Sequence, residues 1–297
     1  MGRAIYVSSV NGDDANSGYA PEKAFRSLRK VNQMEIQPGD QILLERGSVF
    51  VGEYLHLYRG GTKEAPVVVD AYGEGALPRI ETDGNGIWYQ NYGGHLDNVV
   101  HIWKGYLSSA VLLYDAEYIS IRNLEITNNP CVKNERLNQA DRMNRTGVSV
   151  IAKNHGTLHE IELDHLYIHD VEGNIYDKHL NNGGIYMSVS RPDDEEKTGI
   201  ARYDGIHIHH CKVENCRRWG IAAGYTYQHD KFTTLELPDE VVKTYGSTNV
   251  VIEHNFVKDI GGDGITPMYC FEPLIQYNVS ENIAVDIHPD LYNCLLY

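Results

Sequence analysis

The sequence predicts an all-β fold, a single-stranded right-handed parallel β-helix (a solenoid) with an N-terminal capping α-helix. Two repeated units predict the strands. The first has apolar residues in the pattern I-x-I-x-x-x-x-I/V, and its copies begin at Ile119, Ile161, Ile206 and Val250, with a degenerate copy at Pro273. The second opens with glycine and a β-branched residue, at Gly86, Gly147, Gly184, Gly220 and Gly264, with Ala110 starting a weaker copy. Alternating β-branched residues are typical of strands.

The spacing of the glycine-led units separates a β-helix from other repeat folds. From Gly147 onward these units are 37, 36 and 44 residues apart. Such variation is too large for a propeller blade or a helical repeat, whereas stacked coils tolerate loops of different lengths. The repeats therefore predict one domain over residues 1–297, with the coils and long loop insertions in residues 85–297.

Residues 1–84 differ from the rest and are expected to form a cap and the first strands. Ala24, Phe25, Leu28 and Val31 follow helical spacing, and Pro21 stands near the start, which predicts a helix over Pro21–Met34. Such a helix would cover the open end of the β-helix and prevent pairing between strand edges. A further coil begins at Asn282 without an evident cap after it, so an alternative is a C-terminally truncated relative of longer proteins.

Composition and charge limit the partners. The net charge of −15 weighs against nucleic acid, because phosphate binding requires a basic surface.

No apolar run is long enough to cross a membrane, and no signal-peptide region follows Met1. The 5 cysteines are an odd number without metal-ligand spacing, which favours a reducing compartment. We therefore expect a cytoplasmic protein, or a secreted one if the sequence is a mature form. Nothing predicts the oligomeric state.

The N-terminal region resembles a known family. The matching residues are Tyr6-Val7-Ser8, Gly12 to Gly18, Pro21 to Phe25, Pro38 to Ile42, Gly47, Ala71 to Gly73, and Arg79-Ile80. Together they resemble the N-terminal signature of right-handed parallel β-helix proteins of the pectate-lyase-like superfamily. This resemblance implies the fold but leaves the reaction open, since the superfamily contains polysaccharide lyases, glycoside hydrolases, epimerases and non-catalytic adhesins.

Two polar loops are expected to form the walls of one groove for a poly- or oligosaccharide. They cover Glu172–Asn182 and Tyr225–Gly246 and flank neighbouring coils. Loops from successive coils often surround a binding site. The 21 tyrosines fit this interpretation, because a tyrosine presents a flat apolar ring with a hydroxyl and can stack against a sugar.

The strongest catalytic candidate is Asp263, which stands between glycines directly before a coil strand. The Asp-Gly-Ile segment resembles a motif of polygalacturonase-like hydrolases, in which such aspartates act as general acid or base. The other aspartates of that motif are absent here. Glycoside hydrolysis needs a second carboxyl group. Asp177 beside His179, and Asp230 between His229 and Lys231, combine a carboxylate with groups suited to proton transfer.

Two alternatives to the glycoside hydrolase remain open. A polysaccharide lyase would use a base such as Lys231 to remove a proton. It would also use a cation such as Arg218, beside Trp219, to neutralise the carboxylate of a uronate. The other alternative is a non-catalytic glycan-binding or structural β-helix, including an inactive truncated relative. The negative net charge of the chain and the presence of Asp263 favour the hydrolase over the lyase.

No cofactor is expected, although the acidic loop Asn11–Gly18 leaves calcium open. His207 and His209 alternate onto one strand face, but no third ligand follows at a recognisable spacing, so no metal site is predicted.

Three tyrosines are candidates for sugar stacking. Tyr225 and Tyr269 each stand five residues after a repeat glycine, and Tyr186 stands two after its own. In a regular strand, Tyr225 and Tyr269 would point inward with the isoleucines. Gly224 and Pro267 predict a bend that instead releases both rings to the groove rim.

Overall fold

The computed structural model describes residues 2–94, 102–129, 143–174, 179–234 and 236–285. Its strands, in chain order, are β1 (Ala4–Val7), β2 (Gln41–Glu45), β3 (Val49–Val51), β4 (Leu55–Leu57), β5 (Val67–Tyr72), β6 (Arg79–Glu81), β7 (Ile87–Asn91), β8 (Lys104–Tyr114), β9 (Ile119–Arg122), β10 (Glu125–Asn128), β11 (Arg145–Ala152), β12 (Thr157–Asp164), β13 (Tyr167–Val171), β14 (Gly183–Val189), β15 (Arg202–His209), β16 (Lys212–Cys216), β17 (Ile221–Thr226), β18 (Thr248–Glu253), β19 (Phe256–Ile260), β20 (Ile265–Pro267), β21 (Leu274–Gln276) and β22 (Val279–Ile283). The α-helices are α1 (Leu28–Asn32), α2 (Glu195–Thr198) and α3 (Asp239–Tyr245).

The strands form three parallel sheets. Sheet A joins β1, β2, β5, β9, β12, β15, β18 and β21; sheet B joins β3, β6, β10, β13, β16, β19 and β22; sheet C joins β4, β8, β11, β14, β17 and β20. From β2 onward the chain visits A, B and C in turn, and each visit adds a strand beside the strand of the previous coil. This cyclic order is the topology of a parallel β-helix, and the protein is mostly β as predicted.

The predicted apolar repeat sets the register of sheets A and B. Ile161 pairs with Ile119 and Ile206, and Ile206 pairs with Val250. In sheet B, the last residues of the repeat pair in the same way, through Ile126, Ile168, Val213 and Val257. These side chains are buried in one continuous core with residues of sheet C. The period of the sequence is therefore the period of the coil.

The glycines of the second repeat lie where sheets B and C converge. A Cβ on Gly184 would lie 2.4 Å from Val213 Cγ1 and 2.7 Å from the Gly220 carbonyl oxygen. On Gly220 it would lie 2.6 Å from Val257 Cγ1 and 2.4 Å from the Gly264 carbonyl oxygen. Each glycine thus makes room for an apolar side chain of sheet B and for the backbone of the next coil.

The turn from sheet A to sheet B keeps one form in five successive coils. It has two residues, and the first adopts a left-handed conformation: φ is 57° at Asn123, 48° at His165, 52° at His210, 54° at His254 and 54° at Tyr277. The rings of the last four stack in sequence, with centroid separations of 4.8, 5.0 and 4.9 Å. The second turn residue is buried at Leu124, Leu166, Cys211 and Asn255.

The structure corrects the predicted helix over Pro21–Met34. This region contains a 3-10 helix at Pro21–Lys23 and the short helix α1. Between them Phe25 is extended: its N–H donates to the Tyr6 carbonyl oxygen at 2.9 Å, and its own carbonyl oxygen accepts from Ser8 N–H at 2.8 Å. Pairing with the edge of β1 therefore overrides the helical spacing.

A second correction concerns Gly86-Ile87, which does not start a coil strand. Ile87 begins β7, which pairs antiparallel with β8, and the weaker copy at Ala110-Val111 lies in sheet C instead. The strand β7 covers the outer face of sheet C. Trp88 on β7 forms a small second core with Leu107, Leu112, Ile151 and Leu180. Its Nε1–H donates to Ser109 Oγ at 2.8 Å.

Cys211, Cys216 and Cys270 carry free thiols. Burial raises the pKa of the Cys211 and Cys270 thiols to about 12, so both remain protonated near neutral pH.

In the described ranges, no helix combines the length and apolar composition needed to span a membrane.

His56 on β4 makes the stability depend on pH. Burial lowers the pKa of His56 to about 4, although a 2.9 Å hydrogen bond from its ring to the Ser109 carbonyl oxygen opposes this shift. In the unfolded chain, His56 binds a proton below about pH 6.5. Its contribution is therefore complete above pH 6.5 and is lost as the pH falls from 6.5 toward 4, by roughly 3 kcal/mol in total.

Urea unfolding of the wild type and of His56→Gln at several pH values checks this expectation. The glutamine does not titrate, so the difference between their free energies of unfolding should shrink by up to about 1.4 kcal/mol per pH unit below 6.5. A difference that is constant between pH 7 and 4.5 contradicts the burial argument.

Candidate active site

The two predicted loops flank sheet C at opposite ends of its strands. Residues 172–182 lead into β14, and the segment after Thr226 leads from β17 to β18. They approach each other over the outer face of the sheet. The ring of His179, from the first loop, lies 6.3 Å from the Tyr225 ring, and the ring of His229, from the second, lies 5.6 Å from the Tyr269 ring. Both loops therefore border the outer face of sheet C.

An aromatic row, defined as Trp219, Tyr186, Tyr225 and Tyr269, lies on this face. Consecutive ring centroids are 6.2, 6.4 and 5.9 Å apart. Tyr92 packs against this row, 5.7 Å from the Tyr225 ring, and stacks on His179 at 5.7 Å with an interplanar angle of 14°. The predicted binding residues Tyr186, Trp219, Tyr225, Tyr269 and His229 therefore belong to one aromatic cluster, most of which is buried.

A β-bulge at Gly224 places Tyr225 on the outer face. Met187 pairs with Ala223 and Ser188 with Tyr225, which leaves Gly224 without a cross-strand partner. Gly224 has φ of 88°, a left-handed conformation that glycine adopts without strain. The extra residue reverses the alternation, so the bend predicted before Tyr225 is confirmed.

The expected exposure of these rings is wrong in two cases. Tyr225 is only 7% exposed and Tyr186 is fully buried. Tyr92, after β7, and His179, in the first loop, both pack against Tyr225, and nothing in the strand repeat predicts this cover. Tyr269, which is partly buried, packs against Phe232 with ring centroids 4.8 Å apart.

Asp263 lies at one end of the aromatic row. Gly184 N–H donates to the Trp219 carbonyl oxygen at 2.8 Å, and Gly220 N–H donates to the Asp263 carbonyl oxygen at 2.9 Å. Gly183, Trp219 and Asp263 therefore hold the same position in successive coils, directly before sheet C. Two coils before Gly183 this position is Ser109, whose hydroxyl accepts from Trp88 on the outer face. The coil register thus places Asp263 on the outer face of sheet C, beside the aromatic row.

Two arginines directly precede Trp219 in the chain. Arg218 is 1% exposed, and its guanidinium carbon lies 4.7 Å from the centroid of the Trp219 ring. A Cβ on Gly262 would lie 2.2 Å from the Arg218 carbonyl oxygen, so the residue before Asp263 packs on the backbone of Arg218. Next to it, Arg217 Nε donates to both carboxylate oxygens of Glu172, at 3.0 and 3.1 Å. The Arg218 guanidinium therefore lies against Trp219, whereas Arg217 is paired with Glu172.

A cavity of about 240 Å³ adjoins the far end of the aromatic row. It is lined by Gly93, Gly94, Arg191, Tyr227, His229, Asp230 and Thr233. The Asp230 carboxylate pairs with Lys231 Nζ at 3.2 Å in an exposed 3-10 helix, His229–Phe232. Arg191 lies over the Tyr227 ring at 5.9 Å, and Tyr227 donates to Glu195 at 2.5 Å.

The predicted catalytic residues are distributed unevenly around the site. Asp263 lies before β20 at one end, and Asp230 and Lys231 lie near the cavity at the other. His179 is buried against Tyr92 between them. Asp177 falls outside the described residues.

In the acidic loop Asn11–Gly18, both carboxylate oxygens of Asp14 accept hydrogen bonds, from Arg26 N–H, Ser27 N–H and the Ser27 hydroxyl.

Sequence reasoning missed Tyr92, Arg191 and Tyr227. Tyr92 directly follows β7, outside the coil repeat. The sequence signal that could have identified it is the pair of glycines after it. A Cβ on Gly93 would lie 2.3 Å from Arg191 Cβ, so only a glycine permits the contact between these two loops. Arg191 N–H donates to the Tyr92 carbonyl oxygen at 3.1 Å.

The three stacked sheets define a parallel β-helix protein whose candidate site lies on the outer face of sheet C, between two loops. Comparisons with known proteins are more specific. The chain is 39% identical over 327 residues to a lacto-N-biosidase of Bifidobacterium longum subsp. longum, covering 98% of this chain and 20% of the relative. Crystal structures of GH136 lacto-N-biosidase from Eubacterium ramulus, as native protein and selenomethionine derivative, superpose with a TM-score of 0.94 at 53% identity. No family model matches.

The chain spans only part of these relatives. It covers 47% of the Eubacterium ramulus chain, while 99% of its own residues are matched in the selenomethionine structure. The comparisons support the predicted glycoside hydrolase over the lyase and binding-protein alternatives. They do not extend to the pectate-lyase-like superfamily in particular.

Proposed function

We propose that this chain is a glycoside hydrolase of the lacto-N-biosidase type, which releases a disaccharide from an oligosaccharide bound on the outer face of sheet C. The observation that carries this proposal is the position of Asp263 at the end of the aromatic row, supported by its place directly beside Trp219 in the coil register. Tyr269 is the partly exposed ring of the row and can pack against the apolar face of a sugar, while a carboxyl group performs proton transfer at the glycosidic oxygen.

In this mechanism Asp263 is one of the two carboxyl groups that flank the scissile bond. The two carboxyl groups of such a site stand roughly 5–9.5 Å apart, one as general acid and the other as nucleophile or as the base that activates water. Asp230 lines the cavity at the opposite end of the aromatic row and is therefore the weaker candidate for the second group. Asp177, which the sequence predicts beside His179, is the candidate to test first.

The experiment is incubation with a p-nitrophenyl glycoside of lacto-N-biose and with an oligosaccharide that ends in the same disaccharide. A hydrolase releases p-nitrophenol and the free disaccharide, and no unsaturated product that absorbs ultraviolet light. An unsaturated product would instead establish the lyase. The absence of any product from the folded protein, under conditions in which calorimetry detects saturable binding, would contradict hydrolysis and support a glycan-binding protein.

We also propose that the β-helix is right-handed and that α1 caps its first coil. The support for the cap is Asn32, at the end of α1. Its amide N–H donates to the Tyr54 carbonyl oxygen at 2.8 Å, and its amide oxygen accepts from His56 N–H at 2.8 Å. The side chain thus takes the place of a strand beside β4.

Asn32→Ala should lower the free energy of unfolding by about 2 kcal/mol, because two backbone groups of β4 lose their partners. Gln33→Ala, at the exposed neighbouring position, serves as the matched control and should have little effect. Equal effects of the two substitutions in urea unfolding would argue against the capping role.

A further inference from the structure

The outer face of sheet A carries a His–Glu cluster, defined as Glu162, His207 and His209. Each residue offers a ligand atom, and these atoms all lie within 4.8 Å of one another. His207 and His209 are two residues apart on β15 and share a face, with ring centroids 3.9 Å apart. Glu162 pairs with His207 in the register of β12 and β15. The third group that the sequence spacing lacked therefore comes from the preceding coil.

Neighbouring side chains hold the cluster in a geometry suited to a metal ion. His209 Nδ1 lies 3.0 Å from Asp164 Oδ1 and 2.9 Å from His210 Nδ1. In the tautomer that carries its hydrogen on Nδ1, this hydrogen faces Asp164, and the Nε2 lone pair is directed toward Glu162, 3.3 Å away. The Ser120 hydroxyl donates to Glu162 Oε2 at 2.6 Å and leaves Oε1 on the side of His209. A carboxylate behind a ligating histidine is a recurrent support in zinc sites.

Charge and access also favour a cation. Besides Glu162 and Asp164, the carboxylate of Glu253 lies 3.1 Å from His207 Nε2. His209 is mostly buried, while the side chains of His207 and Glu162 are 41% and 38% exposed. Glu162 and His207 also line a groove of about 930 Å³ along sheet A. An ion can therefore enter from solvent, and part of its coordination shell faces the groove.

We propose that Glu162, His207 and His209 bind one divalent transition-metal ion of the zinc type. Imidazole nitrogens and a carboxylate oxygen are the ligands that Zn²⁺ uses in open sites with three protein ligands. The ion links β12 to β15 across successive coils, and its remaining position is open to the groove. This site lies on a different sheet from the candidate active site and does not depend on the proposed hydrolysis.

Titration calorimetry of the EDTA-treated, dialysed chain with ZnCl₂ tests the proposal. One ion should bind per chain at pH 7.5, raise the melting temperature, and bind more weakly in acid, because protons compete with the ion for its ligand atoms. Co²⁺ in place of Zn²⁺ should give the intense visible absorption of a four- or five-coordinate site. His209→Gln should weaken zinc binding by at least about 100-fold, and Ser120→Ala, which removes only support, by about tenfold.

Matched variants keep the result unambiguous. His159→Gln changes a histidine that lines the same groove without joining the cluster, and it should bind zinc as the wild type does. His165→Gln and His210→Gln probe the neighbouring group of Asp164, His165 and His210 and should retain the site. The proposal is overturned if no ion binds, if His209→Gln remains folded and binds zinc unchanged, or if His165→Gln abolishes binding instead.

Discussion

Asp263→Asn should lower kcat/KM for the p-nitrophenyl glycoside of lacto-N-biose by about 10²- to 10⁴-fold, the range that one acid–base carboxyl group contributes. The side chain keeps its size, and the backbone carbonyl that accepts from Gly220 is unchanged, so the fold should survive. Initial rates measured over a range of substrate concentrations separate kcat from KM. The loss should fall on kcat, because the substitution leaves the two loops and the cavity beside them unchanged.

Asp259→Asn is the matched control for this experiment. Asp259 lies on β19 in the same coil, four residues before Asp263, and its carboxylate accepts from the Asn282 amide rather than facing sheet C. Its activity should equal that of the wild type. Wild-type kcat in Asp263→Asn would remove Asp263 from the mechanism and leave Asp230 and Asp177 as the carboxyl groups to examine.

Gly184→Ala should destabilise the protein by about 3 kcal/mol, the upper part of the range for overpacking a core. The new methyl group would lie 2.4 Å from Val213 Cγ1 and 2.7 Å from the Gly220 carbonyl oxygen. A backbone oxygen in the next coil cannot rotate away as a side chain does. The midpoint of urea unfolding, compared with that of the wild type, measures the loss.

Gly105→Ala is the control for added volume on a sheet C strand. A Cβ at Gly105, on β8, would meet only Leu180 Cδ1, at 3.5 Å, which is an ordinary contact. This variant should unfold within about 0.5 kcal/mol of the wild type. If both alanine variants were equally stable, the glycine repeat would reflect something other than the close approach of sheets B and C.

The sequence was most informative where one rule repeats in every coil. Ile119, Ile161, Ile206 and Val250 became one ladder because each occupies the same inward position. The bend at Gly224 followed from glycine and strand parity. The fold of the coils and the two loops over sheet C were therefore predictable from periodicity alone.

Features that depend on contacts outside the repeat were not predictable. Phe25 leaves the helical pattern because the edge of β1 needs a partner. Tyr92, which covers Tyr225, directly follows β7, a strand outside the coils. Burial of the aromatic row therefore depends on a segment that is not part of the repeat. Glu162 joins His207 and His209 across a coil boundary, which spacing along one strand cannot show.

The uniform turn between sheets A and B has a consequence for engineering this scaffold. Its two residues set the left-handed kink and the ring stack of His165, His210, His254 and Tyr277 together, so an inserted residue would displace both. The connections on either side of sheet C already vary in length, from the three residues 52–54 to the 21 residues 227–247. Grafted recognition loops or reporter domains should therefore be tolerated beside sheet C and rejected at the A-to-B turn.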